Sequence, residues 1–145
     1  MKIAIVDYGM GNLPSVLKSV QAAQKLADVP AEIVLTNQPE TVFAADKVIF
    51  PGQGAMPDCM GALQKSGLGE AVADGLKNKP FFGICVGAQL LFDHSEEGNT
   101  AGLGWFDGEV KRFSANQHDA GGDRLKIPHM GWNNVHQTQA HPLFK

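Results

Sequence analysis

The sequence predicts an α/β protein with a mostly parallel central sheet held between two helix layers, and three observations carry that prediction. Short apolar runs recur without the polar alternation of a half-wet strand, so both faces of their sheet must be covered. Segments with helical apolar spacing separate those runs. The first, third and fourth runs also end at glycine-bearing turns, on the side where an open α/β sheet gathers its ligands. The resulting β-α-β-β-α-β-α order gives a three-layer α/β/α architecture.

The elements follow in chain order. "KIAIVD" (2–7) is the first strand, stopped by the turn signal "YGMGN". In "LPSVLKSVQAAQKL", Val16, Leu17, Val20, Ala23 and Leu26 share one helical face. Asn12 is placed to cap that helix, and Pro14 sits in its first turn, where a missing N–H costs nothing. "AEIVL" (31–35) and "DKVIFPG" (46–52) are the second and third strands. Residues 57–77 form one or two short helices broken around "SGLGE". "PFFGI" (80–84) is the fourth strand, and residues 86–93 begin a helix. Beyond residue 100, "GWFDGEVKRF" alternates like an edge or hairpin strand, 114–124 is a polar loop, and "WNNVHQ" is a further strand. No repeat, low-complexity tract or interdomain linker interrupts the pattern, so residues 1–145 are expected to belong to one domain.

Composition narrows the function. Hydrophobic residues make up 43% and charged residues 19% of the chain, which is enough apolar material for a real core. The net charge of −3, without a basic cluster, argues against a nucleic-acid surface. No apolar run has the length of a membrane span, and the N-terminus enters a strand at once, unlike a signal peptide. Cys59 and Cys85 form no CxxC pair, and the five histidines lack metal-ligand spacing. Neither a metal nor a cofactor is expected, and the composition suits a cytoplasmic protein with reduced thiols.

The chemistry concentrates at "PFFGICVGAQLLF". Gly83-Ile84-Cys85-Val86-Gly87 has the G-x-nucleophile-x-G spacing of a nucleophile elbow, where the strand-to-helix turn is too tight for side chains two residues either side. A free cysteine is most often a buried structural residue. Here the apolar strand before and apolar helix after favour a nucleophile. A helix N-terminus contributes only ~0.3–1 kcal/mol toward the thiolate, and no dipole can protonate a departing amine. Acyl transfer from an amide needs a general acid, usually a histidine oriented by a carboxylate. The elbow is thus half a site. A second loop, "FPGQGA" (50–55), ends a strand with a backbone free to approach a ligand. One N–H from it, with that of Val86, would make an oxyanion hole. By contrast "GMGNLP" has Pro14 at the last glycine of a dinucleotide motif and fails it.

Taken together, "DYGMGNL", "DKVIFPGQGA", "GICVGAQLLF", "SEE" and "IPHMGWN" resemble, in this order, the class I (triad-type) glutamine amidotransferases. The last motif is similar to that of the branch serving imidazole glycerol phosphate synthase in histidine biosynthesis. The resemblance implies that Cys85 attacks L-glutamine, forming a glutamyl thioester and releasing ammonia. It implies an oxyanion hole from Val86 and the Gly52–Gln53 peptide, the latter after a backbone reorientation. Gly54, Gln89 and Glu97 would hold the glutamine. Asn12 and the stretch Pro128, His129, Met130, Gly131, Trp132 and Asn133 would face a cyclase partner, a (β/α)8 barrel that receives the ammonia.

Departures from the family pattern are specific. The usual Cys-Leu-Gly-Met-Gln reads Cys85-Val86-Gly87-Ala88-Gln89, and Gln53 replaces a small aliphatic residue. The family's late His-Pro-Glu is not present: His141-Pro142 is followed by Leu143. His94 and His129 lack an adjacent carboxylate set for the role. The sequence therefore reads as the N-terminal portion of the fold, without the C-terminal strands that carry the catalytic His and Glu, and is expected to have at most trace activity by itself. Two rivals stand beside this reading: another enzyme, either a subunit of another triad-type amidotransferase or a cysteine hydrolase of a different family that shares the elbow, and a non-catalytic module that only docks on the cyclase.

Overall fold

The structure, a computed structural model, describes residues 1–119, 121–129 and 131–142. The chain divides into two compact units, Met1–Arg112 and Phe113–Lys145.

The first unit is the predicted α/β fold. β1 (Lys2–Val6) buries Ala4, Ile5 and Val6 completely, as a strand covered on both faces must. α1 (Leu13–Ala27) leads to β2 (Glu32–Thr36), α2 (Pro39–Phe43) to β3 (Lys47–Gly52), and the pair α3 (Met56–Ser66) and α4 (Gly69–Asn78) to β4 (Phe81–Cys85). All four strands are parallel, in the order β2-β1-β3-β4. Winding therefore runs one way from β1 to β2 and the other way from β2 through β3 to β4. With right-handed crossovers this reversal puts α1 on one face and α2, α3 and α4 on the other. The packing of α2 on α4 agrees. The reversal also makes the gap between the ends of β1 and β3 the switch point, where open sheets bind ligands.

Most of the core lies on the α2–α4 face. Val42, Cys59, Met60, Leu63, Ala71 and Val72 pack with Val48 and Phe50 of the sheet. The break between α3 and α4 falls where the sequence put it: Gly67 ends α3 in the left-handed region at φ 73°, and α4 starts two residues later. At the start of α1, Asn12 Oδ1 accepts from the Ser15 N–H at 3.4 Å, the expected cap. The far end of α1 differs from expectation. Leu26 is 89% exposed, Ala23 is exposed, and the helix has no fully buried residue. Its main partner is the edge strand β2, so the end of its apolar stripe overhangs the sheet.

The helix expected over 86–93 is only one turn long, α5 (Val86–Gln89), and is followed by a strand, β5 (Phe92–Ser95). Backbone partners explain the stop. The Leu90 carbonyl accepts from Leu103 N at 2.8 Å and the Leu91 carbonyl from Trp105 N at 2.8 Å, so neither is free for a further helical turn. β5 pairs antiparallel with the short β6 (Thr100–Ala101) and parallel with β7 (Phe106–Val110), in the order β6-β5-β7. The alternating stretch after residue 100 is thus an edge strand, not a hairpin partner.

The second unit is irregular. Its only β pairing among the described residues is an antiparallel bridge between His118 and Arg124. Within that turn the Asp119 carboxylate accepts from the N–H groups of Gly121 and Asp123, each at 2.9 Å. Residues 132–137, expected as a strand, have no regular structure and every residue is exposed; no described segment of this unit pairs with them.

Candidate active site

Cys85 closes β4, directly opposite Gly52 at the end of β3. Its backbone sits at φ 57°, ψ −122°, a conformation that side chains larger than hydrogen rarely adopt. The thiol is exposed at this bend. The glycines two residues either side are sterically required. A Cβ on Gly87 would collide with the Phe50 carbonyl oxygen, and one on Gly83 would lie 2.8 Å from the Ala88 Cα. These are backbone atoms that cannot swing aside, so the spacing read from sequence reflects a real close approach of α5 to β3 and β4.

Gly52 is equally constrained. A Cβ there would collide with the Gly87 nitrogen and lie 2.8 Å from the Tyr8 hydroxyl. The Pro-Gly-Gln-Gly loop thus runs against the elbow, as the sequence suggested. Gly54 holds φ 106°, open to glycine alone without strain. The Gln53 side chain is exposed, and its carbonyl accepts from the buried Cys59 thiol at 3.4 Å. Among the described residues no acceptor meets the Gln53 N–H. Val86, the residue after Cys85, is buried as the first residue of α5. A helix of one turn carries little of an aligned macrodipole, so α5 does little to favour a thiolate at Cys85.

Gln89 and Glu97 meet at one cavity of about 560 Å³, which Ser95, Glu96, Lys111 and Arg112 also line. Gln89 is one turn beyond Cys85 on α5, and Glu97 opens the 3-10 turn Glu97–Asn99. One carboxylate oxygen of Glu97 accepts from the Met56 N–H at 2.9 Å, which caps α3 from outside the helix. Glu96 accepts from Arg112 N at 2.9 Å and so ties β7's end to the same rim. The cavity therefore presents acidic and basic side chains together, a setting suited to a free amino acid's ammonium and carboxylate.

His94 is the sole histidine of the unit Met1–Arg112 and does not serve Cys85. Its Nδ1 faces Glu109 Oε1 and its Nε2 faces Asn99 Oδ1, both at 2.9 Å. Two acceptors favour the imidazolium, and the bond to Asn99, then that to Glu109, raise its pKa. Glu109 is held below the usual carboxylate range by Lys111 first and His94 second. Of the expected interface residues, Asn12 is occupied in capping α1. Pro128, His129, Gly131, Trp132 and Asn133 lie in the second unit; Met130 is outside the described residues. Asn133 Nδ2 donates to His129 Nε2 at 2.6 Å, and Trp132 is fully exposed at 104%. No group of three or more His, Cys, Asp or Glu among the described residues is arranged to hold a metal.

The Glutamine amidotransferase class-I family profile matches residues 4–145. The chain belongs to this family. Among curated relatives, the imidazole glycerol phosphate synthase subunit HisH of Neisseria meningitidis serogroup B is 70% identical over 145 residues, covering all of this chain and 68% of that protein. The HisH subunit of Chromobacterium violaceum is 65% identical over 144 residues, covering 99% and 66% respectively. That of Thiobacillus denitrificans is 52% identical over 143 residues, covering 98% and 61%. The chain thus spans about two thirds of the relatives' length. Within this amidotransferase fold, sequence reasoning missed two groups beside the elbow, Tyr8 and Cys59. Their signal was the position of Tyr8 just past β1 and of Cys59 one turn into α3, but it becomes legible only once β1 and β3 are known to be neighbours.

Proposed function

We propose that this chain is the nucleophile-bearing part of a glutaminase subunit that supplies ammonia to a synthase partner in histidine biosynthesis. The observation that carries the reading is Cys85, an exposed thiol held in a rarely populated conformation by two glycines that admit no side chain. Such local strain persists only where the surrounding structure enforces it, and it clusters at reacting groups.

In this reading the Cys85 thiolate attacks the side-chain carboxamide carbon of L-glutamine. The C–N bond breaks, the nitrogen leaves as ammonia after accepting a proton, and the glutamyl group stays on sulfur as a thioester. Water then attacks that carbon, freeing glutamate and returning the thiol. The transient anion would be met by the N–H groups of Val86 and Gln53; the opposition of Gly52 and Cys85 supports that role. The Gln89–Glu97 cavity would take the amino-acid end, with Gly54 shaping the approach. Since His94 is engaged elsewhere, the base comes from outside Met1–Arg112.

The partner is inferred from the relatives, which carry the name of an imidazole glycerol phosphate synthase subunit. A cyclase barrel would dock on the Pro128–Asn133 stretch, whose fully exposed Trp132 has the chemistry of an interface anchor. No described helix is long and apolar enough to cross a membrane, in keeping with a cytoplasmic role.

The test is glutamate release by the complete subunit assembled with its synthase partner, beside a Cys85→Ala variant. Release abolished in the variant, with assembly retained, is the expected result. Equal release by both would overturn the assignment of Cys85. An unaltered complex that assembles but releases no glutamate would favour the docking-module reading instead.

A further inference from the structure

The Tyr8 hydroxyl is the one buried side-chain oxygen or nitrogen among the described residues that has no hydrogen-bond partner. Tyr8 is only 4% exposed and sits just beyond β1, on the core side of the Pro-Gly-Gln-Gly loop. A buried polar group left unpaired forfeits its hydration without compensation, so an idle hydroxyl here needs a reason. Its ring packs tilted against Phe50, with 5.1 Å between centroids, which restricts where the oxygen points. That oxygen lies 2.8 Å from the position a Gly52 Cβ would occupy.

A second unpaired group adjoins the same peptide. The Gln53 N–H has no acceptor among the described residues, and the peptide linking Gly52 to Gln53 has glycine on one side and Gly54, at φ 106°, one residue past the other. Rotation of that peptide changes ψ of Gly52 and φ of Gln53, and glycine at position 52 leaves the first of these free. The next carbonyl, that of Gln53, is held by the Cys59 thiol at 3.4 Å. Burial pushes the Cys59 thiol up, so it remains a protonated donor. Burial likewise raises the Tyr8 phenol, with the neighbouring Cys59 adding to the effect, so Tyr8 is also a donor. The thiol's proton is committed to Gln53, so Cys59 offers the phenol only its sulfur, a weak acceptor, and the Tyr8 hydroxyl makes no well-aligned hydrogen bond. A single rotation of the Gly52–Gln53 peptide would serve both groups: its N–H would turn to an anion at Cys85 and its carbonyl to the phenol.

We propose that Tyr8 is the positioning residue of the Gly52–Gln53 peptide, donating to the Gly52 carbonyl when the Gln53 N–H turns toward the anion formed at Cys85, while Cys59 confines the rotation to that one peptide. The proposal rests on the glutaminase reading and adds to it a group that never touches substrate. Its hydrogen bond is made only in the reacting state, so its contribution falls on kcat and not on glutamine binding.

The experiment is Tyr8→Phe in the complete subunit assembled with its synthase partner, followed by glutamine titration and urea unfolding. The expected result is a fall in kcat of about tenfold, the worth of one hydrogen bond, with KM within about twofold. The urea midpoint should be unchanged or higher, because phenylalanine fills the same space without an unpaired hydroxyl. A merely structural hydroxyl would give the reverse, a lower midpoint with kcat preserved, and that outcome would overturn the proposal. So would an unchanged kcat in an active complex. If the unaltered complex releases no glutamate, the glutaminase reading fails and takes this proposal with it.

Discussion

Gly87→Ala tests the elbow as a packing claim, apart from any chemistry. The added methyl would collide with the Phe50 carbonyl oxygen and lie 2.9 Å from both the Phe50 and Pro51 carbonyl carbons. All three atoms belong to β3, a strand paired on both sides, so nothing flexible can yield. Overpacking a core typically costs ~1–3 kcal/mol, and backbone against backbone puts this case at about 3 kcal/mol or beyond. Against a total stability of ~5–15 kcal/mol that is a large loss. With a urea slope of ~1–3 kcal/mol per molar, the midpoint should fall by roughly 1–3 M. Gly61→Ala is the matched control. Gly61 lies inside α3 with nothing within 4 Å of where its Cβ would be. Alanine there should stabilise by ~0.5–1 kcal/mol, the usual gain over glycine in a helix. The assay is urea unfolding of both variants of the complete subunit by circular dichroism. Midpoints that shift together, in either direction, would refute the close-approach reasoning.

Three further outcomes follow from the site. Glu97→Gln keeps an acceptor for the Met56 N–H but removes the charge, so the melting temperature should hold while KM for glutamine rises by tenfold or more. Glu97→Ala should in addition cost about 1 kcal/mol, the worth of a helix cap; equal KM in Glu97→Gln and the unaltered subunit would show that the carboxylate only caps. The His94–Glu109 pair is worth most where both partners are charged. His94 is raised, so its contribution is complete below the ordinary histidine pKa and disappears as pH rises through the higher folded value; Glu109 is lowered, so its contribution exists above the ordinary glutamate pKa and disappears as pH falls through the lower folded value. Melting of His94→Gln against the unaltered chain from pH 5 to 9 should show the difference shrinking as pH rises past the histidine range, and parallel curves would contradict it. Trp132→Ala should weaken assembly with the synthase partner by about 2 kcal/mol or more, the mark of an aromatic anchor, without changing the melting temperature of the free subunit; unaltered affinity by titration calorimetry would remove Trp132 from the interface.

Much of this site was legible because its constraints are local in sequence. The spacing of Gly83, Cys85 and Gly87 is the direct image of a turn in which backbone touches backbone, and "FPGQGA" is visible as a loop that must come close to something. Strand runs buried on both faces, such as Ala4-Ile5-Val6, announced a covered parallel sheet. What was not legible depends on contacts distant in sequence. Leu90, Leu91 and Phe92 look like the continuation of an apolar helix. They leave it because their carbonyls bond residues 103–106, a partnership no periodicity encodes. Leu26 fits the apolar stripe of α1 but overhangs an edge strand, which only the sheet order reveals. "WNNVHQ" has strand-like residues without a pairing neighbour among those described. Tyr8 could not be linked to Gly52 until β1 and β3 were adjacent, and Glu97 gave no hint that it caps a helix forty residues earlier in the chain.

The central claim is that Cys85 carries the glutamyl group. It is tested most directly by quenching the complete complex in acid during glutamine turnover and weighing the peptide that contains Cys85. A gain of one glutamyl group on that peptide, absent in Cys85→Ala and lost when glutamine runs out, is the predicted result. Steady release of glutamate from a complex in which that peptide never gains mass, even under conditions that slow hydrolysis, would contradict the account.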